Sequence, residues 1–74
     1  MARLVRMDSS GHTTLAEWTM ADTTSVHVAN ETLKAQLEDG YYAVVSHGEG
    51  RAEQVSELPP HADLVILRKP IAGG

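Results

Sequence analysis

Leu64-Val65-Ile66-Leu67 is a continuous aliphatic run, set between a double proline at Pro59-Pro60 and a third proline at Pro70. A run this short, apolar without alternation and bounded by turn residues, reads as a strand buried on both faces, and therefore as a central strand of a sheet. Pro70 has no N–H to donate, so ladder pairing should stop at or just before it. Ile71-Ala72-Gly73-Gly74 should then leave the globule as a thin tail, because glycine has no side chain to pack and costs most to order. The remaining elements must be arranged around that strand.

A chain of 74 residues makes one domain, which we place at residues 1–70, with 71–74 as a flexible tail. At this size only about 60% of the surface exposed by the unfolded chain is buried. With no Phe, one Trp and two Tyr, the core must be chiefly aliphatic. The absence of cysteine excludes a disulfide framework, a zinc–thiolate site and a thiol nucleophile in this chain. The formal net charge is −4, and no basic cluster is larger than Arg68-Lys69. Nucleic-acid binding, which needs a basic face to neutralise phosphates, is therefore not expected. No segment approaches the roughly 18 apolar residues of a membrane span. Arg3 and Arg6 interrupt the only early apolar stretch, so no secretory signal is read there and a cytoplasmic location is expected.

Ala2 to Met7 alternates imperfectly and reads as a first strand, followed by turn chemistry at Asp8-Ser9-Ser10-Gly11. His12 to Trp18 resumes alternation, so the two segments form a hairpin. Asp22, Thr23, Thr24 and Ser25 are each suited to cap a helix N-terminus. From there Val26, Ala29, Leu33 and Leu37 recur at spacings of three and four, with Asn30, Glu31, Lys34, Glu38 and Asp39 on the other face. Gly40 fits the left-handed position that ends a helix. Tyr41 to Val45 is β-prone, His47 to Arg51 reads as a flexible turn, and Ala52 to Glu57 as a short edge strand. Leu58 to Asp63 holds both Pro59 and Pro60 and forms a stiff loop. The expected fold is α+β: one mixed sheet with the helix across its face, and the first and last strands side by side in the centre.

At this point the chain resembles the ubiquitin-like β-grasp family: a hairpin, a helix, then strands ending in Gly73-Gly74. Pro70-Ile71-Ala72-Gly73-Gly74, after a hydrophobic strand, is similar to the small sulfur carriers of molybdopterin and thiamine biosynthesis. Leu64-Val65-Ile66-Leu67-Arg68 running to Gly73-Gly74 is also similar to the tail of ubiquitin, where a basic residue follows the last strand. The resemblance covers the whole length in topology, with its specific residues confined to the final eleven. It implies that the Gly74 carboxylate, carried on Gly73, is adenylated with ATP by a ubiquitin-activating-type adenylating enzyme. The chain itself would bind no cofactor and would be no enzyme.

Two fates then diverge. Transfer through an enzyme thioester to a target protein forms an isopeptide bond, with a conjugating enzyme and a deconjugating protease as further partners. Attack by sulfur gives a thiocarboxylate. Gly40 is followed at once by Tyr41, a shorter connection than in the sulfur carriers, and this together with Arg68-Lys69 places the modifier ahead. Only Lys34 and Lys69 are present, so provision for chain building is small. Arg68, Lys69, Pro70, Ile71 and Ala72 form the expected partner-binding tail; Arg68 and Lys69 either pair with acidic residues on those enzymes or simply solvate the strand end. A noncovalent module, docking by its exposed sheet face or by the edge near Val55, is the rival of another class.

His12, His27, His47 and His61 are scattered, with no i,i+4 pair, and read as surface residues rather than metal ligands. Ser9-Ser10-Gly11-His12 and Ser46-His47 bring hydroxyl and imidazole close in sequence, but a triad is defined by geometry. Gly48-Glu49-Gly50 lacks the context of a phosphate loop. In a chain so poor in aromatics, Trp18 is expected in the core.

Overall fold

The computed structural model describes residues 1–48 and 50–70, with 47 and 48 as strand backbone only. The element order is β1 (Ala2–Asp8), β2 (Gly11–Trp18), α1 (Thr23–Glu38), β3 (Tyr42–Gly48), β4 (Arg51–Val55) and β5 (Leu64–Arg68). The strands form one five-stranded sheet of order β2-β1-β5-β3-β4. β1 pairs parallel to β5, while the β1–β2, β3–β4 and β3–β5 pairs are antiparallel. β5 is thus the middle strand, with β1 as its neighbour, as the aliphatic run implied.

That run is not buried equally on both faces. Val65 and Leu67 are fully buried under the helix, whereas Leu64 and Ile66, on the opposite face, are only half-buried. The single helix can cover one face, and the reading of the run as buried on both sides is corrected accordingly. A continuous apolar run satisfies the middle of a sheet even when its second face stays open.

The helix begins at Asp22, whose carboxylate accepts the N–H groups of Thr24 (3.1 Å) and Ser25 (3.3 Å). The hydroxyl of Ser25 in turn donates to the Asp22 carbonyl at 2.7 Å, so one candidate cap acts and another braces it. Val26, Ala29, Leu33 and Leu37 form the inward stripe, with Ala29 and Leu33 fully buried. Gly40 has φ +99°. Its N–H reaches the Leu37 carbonyl, and the Tyr41 N–H reaches that of Gln36, both at 3.1 Å. This paired bonding closes the helix end as only a left-handed residue allows without strain.

Strand limits differ from the sequence expectation at several ends. Asp8 and Gly11, expected in the turn, pair as the last and first residues of β1 and β2, and β4 starts at Arg51, one residue early. β3 starts at Tyr42, because Tyr41 is taken up in closing the helix, and it extends to Gly48, which pairs with Arg51. The His47–Arg51 segment is therefore not wholly a turn. β4 ends at Val55 and not at Glu57, since the chain must turn to bring Leu58 onto the helix, where the Leu58 N–H donates to the Asn30 side-chain carbonyl at 3.1 Å. β2 carries an extra residue: Leu4 pairs with Ala16 and Val5 with Thr14, leaving Leu15 unopposed.

The core joins Leu4, Trp18, Ala29, Leu33, Ala43, Val45, Leu58, Val65 and Leu67. Trp18 is 1% exposed, and its indole N–H donates to the Pro60 carbonyl at 3.3 Å. The double-proline loop is held from a second side by the Arg3 N–H, which donates to the Asp63 carbonyl at 3.0 Å.

Truncating Leu33→Ala should cost about 2–5 kcal/mol, a large part of what a domain this small can hold. Asp22→Ala should cost about 1 kcal/mol through loss of the cap. Urea unfolding followed by circular dichroism should show both as lowered midpoints at unchanged slope.

Candidate functional site

β5 delivers the chain to one end of the sheet, and the residues that surround its exit make up the candidate site. Alternation along β5 separates the basic pair. Arg68 pairs with Tyr42 across the β3–β5 ladder and lies on the open face, beside Met7, Asp8 and Tyr42 in a shallow cleft of about 390 Å³. Lys69 reaches the same cleft, but its ammonium sits 5.1 Å from the centre of the Tyr41 ring. The guanidinium carbon of Arg6 lies 5.8 Å from that ring centre. Each such cation–ring contact is worth about 0.5–1 kcal/mol at an exposed site.

The β1–β2 turn borders this cleft through Asp8. Its carboxylate accepts the Ser10 hydroxyl at 2.6 Å and the Ser10 N–H at 2.9 Å. These two bonds, first the hydroxyl and then the amide, hold the Asp8 pKa below its ordinary 3.8, with a smaller contribution from the charge of Arg6. Gly11, at φ +126°, completes the turn. Asp8 is fully exposed and lines the same cleft as Arg68 and Lys69.

The open face continues away from this cleft. Ile66 stands opposite Val5 on one side and Val44 on the other, and the row extends to Thr14 and Gln54 on the edge strands. Val5 is buried even without a helix above it. Arg3, Met7, His12 and Leu64 line a hollow with Val5 and Ile66, and Tyr42, Ser46, Ala52 and Arg68 line another with Val44 and Ile66. The face is apolar along the middle, with Arg3, His12 and Arg68 at its margins.

Of the expected tail residues, Arg68, Lys69 and Pro70 are brought together at the end of β5, while Ile71, Ala72, Gly73 and Gly74 lie outside the described residues. Val55, the expected edge contact, is half-buried and packs against the core. Among the described residues no group of three or more His, Asp or Glu could hold a metal ion. No helix among them is long and apolar enough to cross a membrane.

The sequence reading missed Arg6, Tyr41 and Asp8 as neighbours of the strand exit. A signal for the first was present, since Arg6 falls on the same side of β1 as the buried Leu4 and needs some reason to be there.

Ser10→Ala should raise the Asp8 pKa toward its ordinary value, read as the midpoint of the Asp8 carboxyl carbon in an NMR pH titration. Because the folded pKa is depressed, the stabilisation tied to Asp8 is fully present above the unfolded value. It is lost as pH falls through the folded one.

Comparison of the chain with family models, with curated proteins and with solved structures finds no match in any of them.

Proposed function

We propose that this chain is a β-grasp carrier of the ubiquitin-like kind, activated at the Gly74 carboxylate and transferred to other proteins. The observation that supports the reading is the sheet order, β2-β1-β5-β3-β4, with one helix across one face. It is the arrangement the β-grasp resemblance implies, with the first and last strands neighbours in the centre. A central last strand also carries the chain out of the sheet at Pro70, beside Arg68, Tyr42 and Met7.

In the proposed chemistry a Gly74 carboxylate oxygen attacks the α-phosphorus of ATP, and pyrophosphate leaves as the bond to it breaks. The product is an acyl adenylate, a mixed anhydride. A thiol on the activating enzyme displaces AMP from the acyl carbon to give a thioester. An amine of the target then displaces that thiol, loses a proton and leaves an isopeptide bond. All catalytic groups belong to the enzymes; this chain is the acyl group transferred. Two glycines let a narrow channel close around the backbone where larger residues would clash.

A sulfur carrier would share the adenylate and differ in the second nucleophile. A noncovalent module is favoured by a separate observation, the half-exposed pair Ile66 and Val44 beside Val5 on the helix-free face, with basic residues at its margin. Deleting Gly73-Gly74 distinguishes it, because a module keeps its partner and a carrier loses its function.

Intact mass spectrometry on the protein purified from its host through an amino-terminal tag tests the reading directly. The expected result is a series of heavier adducts that yield Gly-Gly remnants on other proteins after digestion, and that Gly74→Ala removes without unfolding the chain. A single species with one carboxyl oxygen replaced by sulfur would make it a sulfur carrier. Free acid alone, under conditions that induce the host's pathways, would overturn activation and leave the module.

A further inference from the structure

We propose that Tyr41 is a positioning residue for the carboxyl-terminal segment, its ring fixing the direction in which the chain leaves the sheet. The last paired residues of the β3–β5 ladder are Tyr42 and Arg68. One step further along the same antiparallel register, Tyr41 faces Lys69. Backbone pairing ends here, because Tyr41 has turned into the helix terminus and Pro70 has no N–H to give. A side-chain contact takes over where the ladder stops: the Lys69 ammonium rests 5.1 Å from the ring centre.

The ring is itself anchored. The Tyr41 N–H donates to the Gln36 carbonyl at 3.1 Å, and the side chain packs against the core. Arg6 holds the ring from β1 at 5.8 Å. The Arg6 Nε is buried and has no hydrogen-bond partner among the described residues, so the aromatic contact orients this guanidinium. The lysine stem lies beside the helix-ending turn, since a Cβ built on Gly40 would meet the Lys69 Cε at 3.6 Å, an ordinary van der Waals contact. Three elements, β1, β5 and the end of α1, therefore converge on one ring.

The consequence is a division of labour in the basic pair. Lys69 is turned to the helix side and occupied, while Arg68 is left on the open face. Rotating the strand end would pull Lys69 off the ring, so Pro70, with φ held near −65° by its own ring, starts from a fixed plane. The relevance of this to acyl transfer rests on the function proposed above, but the positioning itself does not.

NMR of the isotopically labelled full chain tests it without any activating enzyme. The Lys69 ε-methylene should be shifted upfield by the Tyr41 ring. The amide order parameter of Lys69 should lie close to the about 0.85 of rigid backbone. Tyr41→Phe should preserve both. Tyr41→Leu should abolish the ring shift and lower the order parameter below about 0.6, and Lys69→Gln, which spares the core, should lower it likewise. Unshifted Lys69 methylenes in the unaltered protein, or an order parameter that survives both Tyr41→Leu and Lys69→Gln, would overturn the proposal. Missing adducts in the host would count against tail activation and leave these readouts untouched.

Discussion

The parallel pairing of β1 with β5 is the contact on which the rest of this structure depends. It joins Arg3 to Leu64 and Arg6 to Leu67, residues from the two ends of the chain. Without it the β1–β2 hairpin would stand apart from a three-stranded β5-β3-β4 sheet, and an isolated hairpin is marginal in water. With it, Leu4 and Val65 meet beneath Ala29 and Leu33, and a core forms that neither half could bury alone. The position of the strand exit has the same origin, since a strand held on both edges can leave only along its own axis.

Electrostatics at the end of the helix are settled in a related way. The last turn and cap of α1 carry Glu38 and Asp39 and no basic residue, an unfavourable arrangement beside the partial negative charge of a helix C-terminus. Arg6 and Lys69, arriving from two strands onto the Tyr41 ring, return positive charge to that region. Charge that the helix does not supply locally is supplied by the tertiary fold.

The elements were legible in the sequence because each carries its own local chemistry. The aliphatic run at Leu64–Leu67 marked the middle strand, the Val26–Ala29–Leu33–Leu37 spacing marked the helix face, and Gly40 marked its end. Among four possible caps, the choice of Asp22 depended on geometry, since any of those side chains can reach a free amide in principle. The surroundings of the strand exit were not legible. Arg6, Tyr41 and Lys69 are 35 and 28 residues apart in pairs, and no local pattern shows that they share one ring. Nor does an apolar run reveal which of its faces a single helix will cover, so the half-exposed Leu64 and Ile66 became apparent only in the assembled sheet.

The central place of β5 also bears on how the protein is made. Synthesis proceeds from β1 toward β5, so the strand that joins the two hairpins emerges after both of them. Until Leu64–Arg68 is free of the ribosome, the inner edges of β1 and β3 lack their native partner and Leu4, Ala43 and Val45 lack the strand that completes their cover. Unpaired edges and exposed apolar residues are what draw nascent chains into aggregates or onto chaperones. The vulnerable interval lasts until β5 enters the gap between β1 and β3.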